Sequence, residues 1–323
     1  MKIALITGIT GQDGSYMAEL LLSKGYRVIG LIRSAQSFEH PIIKSLQGRV
    51  ELDILNAFDH NSIFNLVSKY LPNEIYNFAA YSTGSGMYEN SLLLADLNGL
   101  FVVRILESIR LIDPNIRFCQ ASSREIFGEP SESPQSELTL KNPRSPYGAA
   151  KLYADNMINI YRQHHGIFAC SAILFNHESP RRGINFVTRK ITNQAAKIKF
   201  GIANKLTLGN LDAVRDWGFA GDYVEAMWIM LQKKQPGDYV LATGVQHSVR
   251  DFCEIAFNSL NLDYKNYVHS DRSVFRDTEK FPLIGQAIKA YNELEWSPKI
   301  KFTDLIKMMV DADVEEIRKL IKE

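Results

Sequence analysis

Tyr147 and Lys151 stand four residues apart just after Ser145-Pro146, where a helical pattern begins. Ser145 suits the N-cap and Pro146 the first helical position. The spacing puts phenol and ammonium on one helical face, about one turn apart. An ammonium held near a phenol favours the phenolate, so a tyrosine with an ordinary pKa of about 10 can act as a base near neutrality. Upstream, Ser122-Ser123-Arg124-Glu125 closes the apolar run at 116–119 and sets a hydroxyl two residues before a carboxylate. The stretch 121–151 therefore holds a base, a hydroxyl and a carboxylate, and the rest of the chain must position them.

Residues 2–7 form an apolar run ending in Gly8-Ile9-Thr10-Gly11-Gln12-Asp13-Gly14, with a helical pattern at 17–24. Strand, glycine turn and helix in that order suit a phosphate. The glycines allow a tight turn and close backbone approach, and helix N-terminal N–H groups face the anion. The plain alternative is an ordinary strand–helix turn. A second strand at 26–32 ends in Arg33-Ser34. A dinucleotide fold selective for NAD usually has Asp or Glu there for the ribose 2′-hydroxyl, whereas a basic residue suits the 2′-phosphate of NADP. NADP is therefore the expected cofactor; a solvated surface charge is the other reading of Arg33.

A third strand at 50–52 ends at Asp53-Ile54, a helix covers 61–70, and a fourth strand at 74–78 leads into Ala79-Ala80-Tyr81-Ser82. Small residues at a strand's carboxyl end let a cofactor come close. Thr83-Gly84-Ser85-Gly86 reads as a loop over the site, and a long helix spans about 93–110. Beyond Lys151 the helix runs to about 165, and a sixth strand at 168–174 ends in the polar run FNHESPRRG. Strands alternating with helices mean an α/β fold with a doubly wound parallel (Rossmann) sheet. From here the pattern becomes irregular, with short elements at 205–208, 223–232, 238–241 and 249–259. A C-terminal amphipathic helix at 302–322 follows, with Thr303-Asp304 as expected caps. The expected division is a dinucleotide-binding domain at 1–175, rejoined by segments near 211–245, and a smaller, interleaved substrate lobe over most of 176–323.

A net charge of +1 over 323 residues argues against nucleic acid as a partner. MKIALITGIT is interrupted by glycine too early for a signal peptide, and no apolar stretch approaches about 20 residues, so no membrane span is expected. Cys119, Cys170 and Cys253 sit apart in apolar runs, which points to reduced thiols in a cytoplasmic protein, with neither a metal site nor a disulfide frame.

The glycine turn, Ser123-x-Glu125, Tyr147-x-x-x-Lys151 and the run FNHESPRRGINFVTRK at 175–190 closely resemble the extended short-chain dehydrogenase/reductases, and within them the GDP-mannose 4,6-dehydratase family. The likeness continues through LGNLDAVRDWGFAGDYVEAMW at 208–228 and TGVQHSVR at 243–250, so it covers nearly the whole chain. Tyr-x-x-x-Lys alone is weak, but FNHESPRRG with the hydroxyl-x-Glu is specific for the dehydratase branch.

What the resemblance implies is an internal oxidation–reduction on a nucleotide sugar. Tyr147, with Lys151 lowering its pKa, would deprotonate the C4 hydroxyl of the hexose while hydride leaves C4 for NADP⁺. The 4-keto group acidifies the C5 proton, which Glu125 would remove. Water would leave C6 with Glu125 as the acid, and hydride would return to C6, giving GDP-4-keto-6-deoxymannose with no net redox change. Ser123 would hydrogen-bond the developing oxyanion at O4. One carboxylate serving as base and then acid implies a partly desolvated position. By the same resemblance Gly8, Ile9, Thr10, Gly11, Gln12, Asp13 and Gly14 would hold the cofactor, together with Arg33, Ser34, Asp53, Ile54, Phe78, Ala79, Ala80, Tyr81 and Ser82. Tyr147, Lys151, His177 and Arg182 complete that set. Ser85, Asn176, Glu178, Lys190, Arg215, Arg276 and Glu279 would grip the sugar nucleotide, cations suiting the diphosphate and Glu279 the ribose hydroxyls. A homodimer or homotetramer is also implied.

Each assignment has a plainer reading. Asp53 ends a strand, His177 is a satisfied core histidine, Arg215 and Asp216 form a local surface ion pair, and Arg276 with Glu279 is a helix-face pair. The chain also departs from the family pattern. Ser123 replaces Thr, Arg124 a small polar residue, Tyr81 the usual Gln and Leu93 a Tyr, while 83–86 is richer in glycine than its counterpart. These changes leave the dehydratase mechanism in place and open the choice of sugar to a GDP-linked heptose or another nucleotide sugar. Two rivals need other features. A 4-keto sugar-nucleotide reductase or epimerase requires the Tyr–Lys pair but no carboxylate at 125, and a non-catalytic NADP-binding protein requires the fold alone.

Overall fold

The computed structural model describes residues 1–82, 88, 90–274 and 281–322. The first half alternates as the sequence leads one to expect. β1 (Ile3–Thr7), α1 (Gln12–Ser23), β2 (Arg27–Ile32), α2 (Pro41–Ser45), β3 (Glu51–Ile54), α3 (His60–Tyr70) and β4 (Glu74–Asn77) are followed by α4 (Ser91–Ala95) and α5 (Phe101–Ile112). Then come β5 (Arg117–Ala121), α6 (Pro146–His165) and β6 (Ala169–Leu174). The remainder holds β7 (Asn176–Glu178), α7 (Val187–Lys199), β8 (Leu206–Leu208), β9 (Val214–Phe219), α8 (Ala220–Met230), β10 (Asp238–Leu241) and β11 (Gln246–Ser248). It closes with α9 (Val249–Asn258), β12 (Val268–Ser270), α10 (Ile288–Leu294) and α11 (Phe302–Lys322).

Seven strands form one parallel sheet in the order β10-β6-β5-β4-β1-β2-β3. Helices cover both faces, so the central strands are buried on both sides, which is why they read as apolar runs rather than alternating ones. On one face Met17 and Leu21 of α1 and Tyr223 and Met227 of α8 pack against Ile6, Val28 and Tyr76. On the other, Ile63, Phe101, Ile105 and Ile158 from α3, α5 and α6 pack against Leu5, Ile29 and Phe118. The chain order reverses between β1 and β4, which opens a crevice at the carboxyl ends of these strands. The second region is built from the three-stranded sheet β11-β9-β7, the pair β12-β8 and helices α7, α9 and α11. Its core includes Ile191, Trp217, Phe252, Phe257, Leu305 and Met309. Arg189 ties α7 to α11 through the fully buried Asp313, Nε lying 2.9 and 3.0 Å from its two carboxylate oxygens.

Three boundaries differ from the sequence expectation. α1 starts at Gln12 rather than near 17, because the turn glycines that lower helix propensity are accepted where α1 packs against the turn. The expected long helix at 93–110 is interrupted by a π turn over Asp96–Leu100. Thr303 and Asp304 lie inside the first turn of α11, which begins at Phe302, instead of capping it.

Candidate active site

Gly8 closes β1 with φ +69°, and a Cβ there would stand 2.8 Å from Phe78 C and Ala79 N. Gly14 faces the same turn: its Cβ would come within 2.4 Å of the Gly8 carbonyl oxygen. Both positions exclude larger residues, so β4's end, the turn and α1 are pressed together. Thr7 Oγ1 accepts from Phe78 N at 3.2 Å and Ala79 N at 3.0 Å, fixing the β1 and β4 ends side by side. Gly11 caps α1 in extended conformation with no side-chain bond, leaving the N-terminal N–H groups for a ligand.

The run after β6 is tied to this turn. Gln12 donates to the His177 carbonyl at 3.0 Å and accepts from Ser179 Oγ at 2.7 Å. His177 Nδ1 lies 2.7 Å from the Phe175 carbonyl and Nε2 3.0 Å from Asp13 Oδ2. Both ring nitrogens face acceptors, an arrangement that favours the doubly protonated ring. Burial alone would lower its pKa, but the Asp13 carboxylate outweighs it and the net shift is upward. Burial works against Asp13 as well, and His177 and Arg182 outweigh it to hold the carboxyl below its usual value.

At the mouth of the crevice Ser145 Oγ accepts from Gly148 N at 3.1 Å, the cap the sequence predicts. Gly148 lets α6 approach closely: a Cβ there would lie 2.4 Å from the Glu125 carbonyl oxygen. Lys151 Nζ donates to the Ala121 carbonyl at 2.8 Å and stands 5.8 Å from the Tyr147 ring centroid. Burial brings Lys151 down to about 8, with Asp155 and Asp13 opposing. Tyr147 runs opposite to the sequence expectation of a lowered phenol. Desolvation pushes it up to about 12 and Glu125 adds to the rise, while the Ser123 and Ser82 hydroxyls and Arg182 oppose it.

Ser123 Oγ accepts from Glu125 N at 3.2 Å and so caps the short 3-10 turn Arg124–Ile126 that carries the acid. Glu125 is largely buried, its side chain 12% exposed, and its carboxylate lies 3.0 Å from Arg124 Nη2. Arg124 Nη1 is buried and has no hydrogen-bond partner among the described residues.

These groups share one cleft of about 1250 Å³. Thr10, Gly11, Gln12, Asp13, Phe78, Ala80 and Ser82 line it from the turn side, and Ser123, Glu125, Tyr147 and Lys151 from β5 and α6. Asn176, His177, Glu178, Arg182, Lys190 and Arg215 line it from the second region. Several of these are already engaged. Glu178 is buried and accepts from Thr188 Oγ1 at 2.6 Å, with Arg182 Nε at 3.1 Å. Lys190 Nζ donates to the Thr207 carbonyl at 2.8 Å, and Arg215 Nη1 to the Val214 carbonyl at 2.6 Å. Asp216 is no partner in a surface ion pair. It is buried and clamps three loop amides, those of Thr243, Gly244 and Gly285.

Other expected residues sit outside the cleft lining. Ile9 packs wholly in the core, where its Cδ1 would lie 2.3 Å from a Cβ on Gly30. Arg33 is exposed at the end of β2, and Ser34 starts the 3-10 turn Ala35–Glu39. Asp53 is turned toward α3, accepting from Lys69 Nζ at 2.8 Å and Tyr70 Oη at 2.9 Å, while Ile54 beside it is exposed. Ala79 packs against the α3–α5 face of the core. Tyr81 is held through its backbone by Asn98, whose side chain accepts from Tyr81 N at 3.0 Å and donates to its carbonyl at 3.3 Å. Ser85, Arg276 and Glu279, and the loop at 83–86, lie outside the described residues.

Sequence reasoning missed Asn98, which the π turn aims at the β4 loop; its only signal was an Asn-Gly pair inside an apolar helix. It also missed Arg181, which reaches back to α1 at Ser15 Oγ (3.0 Å) and Glu19 (2.7 Å) and covers the Tyr16 ring. Nothing in the local pattern distinguished Arg181 from Arg182.

A doubly wound parallel sheet, a glycine turn at its switch point and a Tyr–Lys pair at the mouth define an enzyme of the extended short-chain dehydrogenase/reductase class. The family model described as GDP-mannose 4,6 dehydratase matches residues 5–309. GDP-mannose 4,6 dehydratase 2 of Arabidopsis thaliana is 47% identical, over 97% of this chain and 87% of its own. GDP-mannose 4,6 dehydratase of Homo sapiens is 43% identical over 98% and 92%. The fold is shared with dTDP-glucose 4,6-dehydratase from Bacillus anthracis in complex with NAD, at TM-score 0.85 and 21% identity, covering 98% of each chain. The chain belongs to the GDP-mannose 4,6-dehydratase family.

Proposed function

We propose that this chain converts GDP-mannose to GDP-4-keto-6-deoxymannose with bound NADP. The observation that carries the reading is a largely buried carboxylate, Glu125, facing the same cleft as Tyr147, Lys151 and the glycine turn. A reductase or epimerase needs no acid at that place. The residues present suit a dinucleotide: Gly8 and Gly14 leave room that a Cβ would fill, α1 offers free N–H groups, and the His177 imidazolium adds positive charge. When bound, the nicotinamide accepts a hydride from the sugar and gives it back.

Lys151 holds its ammonium near the phenol, and a cationic ring close by adds to the same effect, so Tyr147 can accept the proton of the C4 hydroxyl. Ser123, whose hydroxyl favours the ionised phenol, steadies the oxygen at C4. Glu125 takes the C5 proton once the neighbouring carbon is a ketone and passes it to the hydroxyl leaving C6. Lys190 and Arg215 hold the nucleotide diphosphate from the second region. The proposed division is a dinucleotide-binding domain over 1–175, rejoined near 211–245, and a substrate lobe over the rest.

Incubation with GDP-mannose and NADP⁺, followed by mass spectrometry for loss of water, tests the reading. Glu125→Gln is expected to retain NADP binding and lose at least about 100-fold in 4-keto-6-deoxy product. Full dehydration by that variant would remove Glu125 from its role. The same assay over a panel that includes a GDP-linked heptose addresses the sugar, which Arg124 beside Glu125 leaves open. Arg33, exposed at the end of β2, is assigned to the 2′-phosphate. Arg33→Ala is therefore expected to weaken NADP binding about tenfold or more while leaving NAD binding unchanged, the loss of a charge-assisted hydrogen bond. Equal effects on both cofactors would count against that assignment. We further place the enzyme in the cytoplasm as a homodimer or homotetramer. Three buried free cysteines suit a reducing compartment, and no described helix is long and apolar enough to cross a membrane.

A further inference from the structure

Asp155 is a buried carboxylate to which the proposed chemistry gives no task. It lies on α6 one turn beyond Lys151 and two beyond Tyr147, so the three share one helical face. It is 5% exposed, and residues from two segments hold it: Ser122, just after β5, donates from Oγ to Oδ2 at 2.8 Å, and Ser171 of β6 from Oγ to Oδ1 at 2.6 Å. Ser122 directly follows Ala121, whose carbonyl accepts from Lys151 Nζ at 2.8 Å. Lysine and aspartate therefore grip adjacent residues at the carboxyl end of β5, immediately before Ser123.

A buried ammonium is costly to keep charged unless an anion stands near it, and Lys151 is 2% exposed. The charges that act on Lys151 are Asp155 on its own helix and Asp13 on α1. The interaction is mutual, and Lys141 ahead of α6 and Asp238 on β10 also act on Asp155, while Glu125 and Arg182 act on Tyr147. Burial lifts Asp155 to about 6, with Lys141 and the two serine hydroxyls opposing and Asp238 adding to the rise. Burial lowers Lys151 to about 8 against the pull of the two acids. Between those values the acid is ionised and the amine protonated.

We propose that Asp155 is the positioning residue of the Tyr147–Lys151 pair: clamped by Ser122 and Ser171, it holds Lys151 on the Ala121 carbonyl and keeps it an ammonium through neutral pH. The proposal rests on the assignment of that pair as the catalytic base. Replacing the anion by an amide removes a charge that favours Lys151⁺. The lysine then loses its proton at lower pH, and the phenol loses its ammonium partner earlier.

The test is a titration of Lys151 in the full chain by 13Cε lysine NMR, with the resonance assigned by Lys151→Arg, beside pH profiles of kcat. In Asp155→Asn the titration moves down by about one unit, roughly a tenfold loss of ammonium relative to amine above the midpoint. The basic limb of kcat moves with it, while KM for the sugar nucleotide stays nearly constant. Ser171→Ala, which keeps the acid and removes one donor, moves both in the same direction by less. Both readouts unshifted in folded Asp155→Asn overturn the proposal; should that variant not fold, an unshifted Ser171→Ala does so. If Tyr147→Phe turns over like the parent, the base assignment fails by itself, and the lysine titration still decides whether Asp155 governs the charge of Lys151.

Discussion

At the scale of single residues, most of the site's chemistry is set by desolvation and by a few charges that oppose it. Tyr147 shows why residue type and spacing were not enough. Tyr-x-x-x-Lys predicts a lowered phenol, but burial carries the phenol to about 12, and Lys151 Nζ donates to the Ala121 carbonyl. His177 shows the reverse: a lone histidine reads by default as core, and only the fold brings Asp13, 164 residues away, to its Nε2. That pair gives a pH signature. His177 has its folded pKa raised, so its contribution is complete below its unfolded value of about 6.5 and is lost as pH rises through the folded one. Asp13 has its folded pKa lowered, so its contribution is present above about 4 and is lost as pH falls through the folded value. His177→Gln should therefore lower stability by about 2 kcal/mol at pH 5 to 6, the scale of a hydrogen bond between charged groups, and by progressively less above neutrality. Melting temperatures of both proteins across pH measure it, and a pH-independent difference would mean that the ring is neutral in the fold.

At the scale of elements, what could be read from the sequence was what local patterns encode. β1 with its glycine turn, the Ser145–Pro146 start of α6 and the two-sided burial of the central strands all follow from runs of a few residues. The rest depended on contacts between distant segments. The π turn at Asp96–Leu100 keeps an apolar helical pattern on either side, so periodicity runs straight through it, yet it aims Asn98 at Tyr81. Asp155 meets Ser122 and Ser171 across 33 and 16 residues, pairings no local pattern announces. The start of α1 was misplaced because Gly14 weakens helix propensity, and only the packed turn explains why it is glycine. Gly14→Ala puts a methyl group against backbone that cannot yield, at 2.4 Å from the Gly8 oxygen and 2.8 Å from Ile9 Cα. It should cost about 1–3 kcal/mol of stability and weaken NADP⁺ binding more than tenfold in a calorimetric titration. Gly25→Ala is the matched control: φ is +77° and nothing lies within 4 Å of the added methyl, so it strains the backbone by about 1–2 kcal/mol and leaves cofactor binding intact. Equal binding losses in both variants would trace the effect to general destabilisation, not to the turn.

At the scale of the whole molecule, the outer surface of α4, α5 and α6 carries a set of large apolar side chains that the core does not use. Leu92 is 89% exposed, and Leu100, Leu111, Tyr153 and Ile160 are also exposed. Tyr153 and Ile160 are seven apart on α6 and so face the same way, and the Tyr153 ring lies against Gly99, next to Leu100. Scattered apolar residues on a surface need no explanation, but several on neighbouring helical segments suit a second copy. The active-site cleft opens at the carboxyl ends of the strands, whereas these side chains lie on the outer face of helices covering one side of the sheet. Association through them would therefore leave the cleft accessible. Light scattering on the purified chain should give at least twice the mass of one chain. Ile160→Asp and Tyr153→Asp should each shift the protein toward the single-chain mass, since burying a charge in an apolar contact costs more than the contact contributes. Dehydration per chain is expected to persist in both variants, because neither residue lines the cleft. A wild-type chain of single mass at the same concentration, or variants that keep the higher mass, would move the interface elsewhere. Loss of activity together with the mass shift would instead mean that a second copy supports the site, through α6, which carries Tyr147 and Lys151.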